Sequence, residues 1–239
     1  MIKLAISGAR GRMGQAIAKL ADADPELTIT ALLEHTEHPE VGTECYGTQL
    51  TADNASIKGC DALIEFTLPD GTMANLKAAA QYGVPMVIGT TGFTVQQVDA
   101  IKSATNDIPI VLASNMSIGV NTLFKLIQIA TGKIAPHTIS ISETHHIHKK
   151  DKPSGTAKTM LQIAEKASGL TIDNVESIRE GEVIGDHTIR LESGEDVLTI
   201  SHHAKDRSMF ARGALTAAKY LQGKAPGLYN MQDVLGFTS

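Results

Sequence analysis

Apolar and polar positions follow two different rhythms along this chain. In the first half, short and nearly continuous apolar runs occupy residues 2–7, 27–33, 62–66, 85–88 and 108–114. Runs of that length read as strands covered on both faces. Between them, residues 15–21, 71–81 and 95–105 repeat apolar positions at helical spacing. Strand and helix in alternation predict an α/β fold, a parallel sheet with helices on both faces. Residues 36–59 break the rhythm, with one short strand expected near 47–51.

A further helix is predicted over 118–133, and beyond it the pattern changes. Thr138-Ile139-Ser140-Ile141-Ser142 alternates polar and apolar residues, the period of a half-buried strand. A helix follows over 157–167, with apolar positions at Met160, Leu161, Ile163 and Ala164. Strand-like runs then come without helices between them, at 175–178, 187–191 and 196–201, with Gly194 in a turn. Such runs predict a separate mixed or antiparallel sheet. The chain closes with a helix over 209–221 and a tail over 226–237. Because the first sheet wants helices on both faces, that last helix is expected to return to it. Two domains are therefore expected: residues 1–116 completed by 209–239, and an inserted α+β domain, residues 117–208, with crossings near Met116 and Arg207.

Composition adds exclusions. Of 239 residues, 42% are hydrophobic and 20% charged, ordinary values for a globular protein. No apolar run approaches the ~18 residues that a membrane span needs. No basic-then-apolar leader opens the chain. A net charge of −5 and 4% aromatic residues argue against a nucleic-acid surface. Cys45 and Cys60 are too few for a disulfide framework, which points to a reducing, cytoplasmic setting.

The first strand runs directly into Gly8-Ala9-Arg10-Gly11-Arg12-Met13-Gly14 and then into a helix. Strand, glycine turn and helix form the context of a dinucleotide-binding fingerprint, in which glycines let the backbone approach a pyrophosphate at a helix N-terminus. The spacing is GxxGxxG, and a turn that only packs helix on strand is the alternative. Glu34 favours the ligand: it ends the second strand, twenty residues after Gly14, where an acid accepts hydrogen bonds from a ribose. Arg10 and Arg12 are candidates to face a phosphate. Later strands end at Gly89, Thr90 and Thr91 and at Ala113, Ser114, Asn115 and Met116. These are candidate walls of a nicotinamide pocket or ordinary strand-to-helix turns.

The densest chemistry lies in Glu143-Thr144-His145-His146-Ile147-His148-Lys149-Lys150-Asp151-Lys152-Pro153-Ser154-Gly155-Thr156, with three His and three Lys in fourteen residues of an acidic protein. It links a strand to a helix, and Pro153 to Thr156 has the look of a helix start, where free N–H groups attract anions. Lys and His supply positive charge and transferable protons, and the Gly155 and Thr156 amides suit a carboxylate. A solvated basic loop is the plainer alternative. His145, His146 and His148 match neither HExxH nor a Cys/His finger, so no metal is expected.

Together these strings resemble the 4-hydroxy-tetrahydrodipicolinate (dihydrodipicolinate) reductase family over nearly the whole chain. The resemblance rests on GARGRMG, on GTTG at 89–92, on ASNMSIGVN at 113–121, on ETHHIHKKDKPSGTA at 143–157, and on FARGAL and PGLYNMQDVL near the end. It implies a Rossmann-type domain with an inserted substrate-binding and oligomerisation domain. It also implies NAD(P)H-dependent reduction of (2S,4S)-4-hydroxy-2,3,4,5-tetrahydrodipicolinate, with loss of water, to tetrahydrodipicolinate, in the diaminopimelate route to lysine. By the same resemblance His145 is a proton donor/acceptor, Lys149 a proton donor and His146 a substrate contact, while Gly155 and Thr156 bind a carboxylate. Cofactor contacts map onto Gly8 to Met13, Glu34, Gly89 to Thr91 and Ala113 to Met116, and a homotetramer is implied. The family's common Phe is Met116 here, and its frequent Arg after the ribose acid is His35. With His35 in that place, use of both NADH and NADPH is expected, NADH equal or favoured. The rival readings are an oxidoreductase acting on an amino-acid semialdehyde and a non-catalytic NAD(H) sensor. The first would not need three His beside a Pro-Ser-Gly-Thr helix start, and the second would be expected to lose the proton donors first, yet His145 and Lys149 are both present.

Overall fold

The computed structural model describes residues 1–134 and 138–237. The last two positions of the expected 209–239 segment lie outside the described residues. The chain divides into two compact units, one of Met1–Met116 with the chain from Phe210 onward, the other of Ser117–Met209. Among the described residues no helix is long and apolar enough to cross a membrane.

The first unit holds strands β1 (Ile2–Ser7), β2 (Leu27–Leu33), β3 (Glu44–Cys45), β4 (Thr48–Thr51), β5 (Ala62–Glu65), β6 (Met86–Ile88) and β7 (Pro109–Leu112). Helices α1 (Arg12–Asp22), α2 (Pro69–Tyr82) and α3 (Val95–Ala104) connect them. The order across the sheet is β12-β7-β6-β5-β1-β2-β4-β3, in which β12 (Gly227–Tyr229) comes from the expected tail and pairs in parallel with β7. Among the described residues of this sheet, only the β3–β4 hairpin is antiparallel.

Side chains alternate across β1. Leu4 and Ile6 join Ile17 and Ala18 of α1 on one face, whereas Ala5 joins Leu76 and Ile101 of α2 and α3 on the other. Helix α6 (Ser208–Tyr220) completes the first face through Ala211, Ala214 and Leu215, so it returns to this sheet as its apolar pattern requires. The return is tight: a Cβ on Gly213 would lie 1.7 Å from the Met116 carbonyl oxygen, so only glycine fits there. A short helix α7 (Met231–Val234) follows, capped by Asn230.

The second unit packs α4 (Ile118–Ile134) and α5 (Gly155–Ser168) on a four-stranded sheet. The strands are β8 (Thr138–His145), β9 (Val175–Arg179), β10 (Asp186–Glu192) and β11 (Val197–His203), in the order β11-β10-β8-β9. The sheet is mixed: β8 and β9 run parallel, joined by a crossover through α5, and the other pairs are antiparallel. On β8 the buried positions are Ile139, Ile141, Glu143 and His145. The period of two that puts two isoleucines into the core thus carries a carboxylate and an imidazole to the same face.

Candidate functional site

The first half of the site lies at the carboxyl ends of the parallel strands. Strand order reverses between β1 and β5, the switch point at which such sheets bind ligands. Gly8 follows β1 with φ +67, and a Cβ there would lie 3.0 Å from Thr67 Cγ2 in the loop after β5. The Gly11 N–H donates to Gly8 O at 2.9 Å and closes the turn. Gly14 is sterically required, since a Cβ would come within 2.1 Å of Gly8 O. Gly11 caps α1 without a side-chain hydrogen bond, leaving the cap position to backbone alone. That cradle fits a dinucleotide pyrophosphate: close-approach backbone at the positive end of a helix.

Glu34 stands beside the turn. Its Oε2 accepts from the Arg10 N–H at 3.0 Å and its Oε1 from the His35 N–H at 3.2 Å. A carboxylate has about four acceptor sites, so it retains capacity for ribose hydroxyls. The Ala9 N–H is bound to Leu33 O at 3.1 Å, fixing the turn to β2. Arg10, Arg12, Lys19, Cys45 and Tyr46 line a cavity of about 420 Å³ next to it.

The other predicted positions differ in what they offer. Gly89 faces the Phe66 ring, where a Cβ would lie 2.2 Å from Cε1. Thr90 is buried, its hydroxyl donating to Thr67 O at 3.1 Å and accepting from Thr72 Oγ1 at 3.0 Å, so its side chain serves the loop. Thr91 and Ser114 are exposed, and Asn115 is half-buried. The Ala113 N–H binds Ile88 O at 3.1 Å. Met116 is 1% exposed and packs in the core, and Met13 packs partly against the same cluster.

In the second unit the His-Lys loop is built around Glu143. Its Oε1 accepts from Arg179 Nη2 at 3.0 Å and from the Ser154 N–H at 3.1 Å, and its Oε2 contacts His145 Nδ1. Burial pushes this carboxyl up, but the bonds from Arg179, His145 and Ser154 outweigh it and hold Glu143 below the usual range. Burial pulls the His145 imidazole down; Glu143 opposes this, and the charges of Lys149 and Arg179 reinforce it. An ionised Glu143 accepts from Nδ1–H, so the neutral ring keeps its lone pair at Nε2. A Cβ on Gly185 would lie 3.0 Å from that Nε2.

His187 packs edge-on against His145, ring centroids 5.0 Å apart, and burial lowers it to about 4. Arg179 also donates to the carbonyls of Lys149 and Asp151, so one guanidinium holds both the dyad and the loop. Lys149 Nζ pairs with Asp151 at 2.7 Å. His146 is half-buried, with an Nδ1 that lacks a hydrogen-bond partner. Ser154 caps α5 by accepting from the Ala157 N–H at 3.2 Å, which places Gly155 and Thr156 in the first helical turn. Among the described residues no group of three or more His, Cys, Asp and Glu side chains is disposed to hold a metal. Sequence reasoning missed Glu143, Arg179 and His187. Glu143 had a signal, because it lies two residues before His145 on a strand.

Comparison with known proteins agrees along the whole length. A family model described as dihydrodipicolinate reductase, N-terminus, matches residues 2–116, and one described as dihydrodipicolinate reductase, C-terminus, matches residues 119–235. The 4-hydroxy-tetrahydrodipicolinate reductase of Methanoculleus marisnigri is 37% identical, covering 99% of this chain and 100% of its own. The protein of the same name from Nitrosomonas eutropha is 39% identical, covering 99% and 98%. The fold matches a dipicolinate-bound dihydrodipicolinate reductase from Paenisporosarcina sp. TG-14, with TM-score 0.85, 22% identity and 98% of both chains covered. The chain belongs to the dihydrodipicolinate reductase family.

Proposed function

We propose that this protein reduces 4-hydroxy-tetrahydrodipicolinate, with loss of water, to tetrahydrodipicolinate, using NADH or NADPH, in the diaminopimelate route to lysine. The observation that carries the reading is His145 held in one tautomer by Glu143 and Arg179, beside Lys149 and the first turn of α5. The nicotinamide cofactor, when bound, supplies the hydride.

The chain's own residues bind, orient and handle protons. Gly8 to Met13 and Glu34 hold the dinucleotide, with Gly89 to Thr91 and Ala113 to Met116 as its further contacts. The Gly155 and Thr156 amides, with the Thr156 hydroxyl, take one carboxylate of the substrate, and His146 contacts it. The Lys149 ammonium is a proton donor. His145, neutral with a lone pair at Nε2, receives and returns a proton through that atom. Residues 117–208 thereby act as the substrate domain and residues 1–116 with 209–239 as the dinucleotide domain.

Two further points fit this reading. The outer strands β9 and β11 expose Ile178, Val197 and Leu198, apolar surface suited to assembly into a homotetramer. Cys45 and Cys60 are both free thiols, as suits a cytoplasmic enzyme.

The test is reduction of freshly generated substrate followed at 340 nm. Lys149→Ala and His145→Gln are expected to lower turnover about 10²–10⁴-fold with NADH binding retained. Thr156→Val is expected to raise the substrate KM. Full turnover in either of the first two variants would remove that residue from the proton chemistry, and an unchanged KM would move the carboxylate site.

A further inference from the structure

We propose that Glu40 is a cofactor-specificity residue: by pairing with Arg10 it withholds a guanidinium that otherwise borders the 2′-position of a bound adenosine ribose, and so disfavours NADPH. The proposal rests on reading Gly8–Met13 and Glu34 as a dinucleotide site. Arg10 is tied to the ribose acid through its backbone, since its N–H donates to Glu34 Oε2 at 3.0 Å. Its side chain, however, turns to the loop after β2, where Nη2 meets Glu40 Oε2 at 2.6 Å. The Arg10 Nε is buried and has no hydrogen-bond partner, so this guanidinium is held by its outer edge with donor capacity to spare.

The loop that carries Glu40 is built to hold it there. Glu40 O accepts from the Thr43 N–H at 3.0 Å and from Thr43 Oγ1 at 2.8 Å, and the Glu40 N–H donates to His38 Nδ1 at 3.3 Å. The Gly42 N–H binds Leu50 O at 2.8 Å and ties the loop to β4. The His35 ring is engaged within the same loop, its Nδ1 accepting from the Glu37 N–H at 3.2 Å. A 2′-phosphate arriving beside Glu34 therefore meets a loop with Glu37 and Glu40, while the cation whose backbone touches Glu34 is already neutralised. Removing the Glu40 charge frees a guanidinium that grips phosphate through its planar fork. NADH, with no 2′-phosphate, has little to gain from it.

The experiment measures dissociation constants of NADH and NADPH for the full chain by nucleotide fluorescence at pH 8, in low and high salt. Glu40→Gln is expected to move the NADH/NADPH affinity ratio toward NADPH by about tenfold, the scale of a hydrogen bond to a charged group. The shift should shrink as salt is raised. Glu37→Gln removes the same charge from the same loop outside the Arg10 pair, and is expected to move the ratio less than threefold. Adding Arg10→Ala to Glu40→Gln is expected to erase the gain. The proposal is overturned by an unchanged ratio in Glu40→Gln, by an equal shift in Glu37→Gln, or by a gain that survives loss of Arg10. Failure of wild type to bind either nucleotide would instead overturn the dinucleotide site beneath it.

Discussion

Glu65 and Glu143 are both shut off from solvent, 0% and 1% exposed, with Glu65 the more deeply buried, and the fold pushes their acidity in opposite directions. Glu65 ends β5 among neutral donors: Oε1 accepts from the Thr67 N–H at 2.8 Å and Oε2 from Asn75 Nδ2 at 2.6 Å. Burial raises its pKa, and the bonds from Thr67, Asn75 and Ser7 reduce that rise without reversing it. Glu143 has similar neutral help but also the Arg179 guanidinium, and its pKa falls. Hydrogen bonds from neutral donors only limit the rise that burial causes; a full counter-charge in contact reverses it. The first arrangement suits a structural tie beneath a loop. The second suits a group that must fix the tautomer of an imidazole.

The largest test of this contrast is Glu143→Gln. It keeps the shape but removes the charge opposite Arg179. The guanidinium keeps its bonds to the carbonyls of Lys149 and Asp151, so the cost should fall below the about 3–5 kcal/mol of a fully stranded buried charge. Urea unfolding at pH 7.5 should show that loss, and turnover should fall with it as His145 loses its fixed tautomer. Adding Arg179→Met should recover part of the stability but none of the turnover. If Glu143→Gln is as stable as wild type, Arg179 is not what keeps the carboxylate charged.

Next comes the pH dependence carried by the imidazoles that pack around this carboxylate. His187 is lowered from 6.5 to about 4 and is 4% exposed. The unfolded chain therefore binds a proton there that the folded one refuses. This stability is complete above pH 6.5 and is lost as pH falls toward 4, amounting to about 3 kcal/mol for the one site. His145 and His202 are lowered too, so the wild-type slope should exceed one proton. His187→Phe should flatten the curve by about one proton's worth. An unchanged slope would mean His187 is not neutral when folded.

The smallest expected effect is at Glu65. Glu65→Gln imitates the protonated carboxyl, so at pH 5 it should cost no more than about 1 kcal/mol, the worth of a typical hydrogen bond. A raised pKa means that wild-type stability is full at low pH and is lost as pH rises through the folded value. The variant should therefore gain on wild type between pH 5 and 8, opposite in sign to Glu143. A growing deficit at pH 8 would show Glu65 to be a working anion.

How much of this was visible beforehand depended on the range of the interaction. The parallel sheet was legible because strands covered on both faces, such as 62–65 and 86–88, are written as unbroken apolar runs. β12 was not, because three residues, Gly227–Tyr229, carry no period and owe their place to pairing with a strand over a hundred residues earlier. The glycine turn and the helix start at Ser154 were legible for the opposite reason, since both are local geometry. Glu143 was half-legible: period two puts it on the His145 face, but its ionisation depends on Arg179. That partner arrives only through the parallel register of His145 with Arg179, which no local pattern records. The Arg10–Glu40 pair was hidden in the same way inside an irregular loop.

The contact between Gly213 and the Met116 carbonyl bears on how this protein can be cut and rejoined. The first unit is interrupted after Met116 and resumes at Phe210, three residues and about 4.5 Å of helix before Gly213. The loose ends of the interruption are therefore neighbours. A bridge of a few flexible residues from Met116 to Phe210 would close the first unit into one uninterrupted chain. Shortening a connection changes closure entropy only logarithmically, so the graft itself carries little penalty. Such a minimal first unit, stripped of residues 117–209, would let nucleotide binding by this unit be tested apart from any chemistry in the histidine loop.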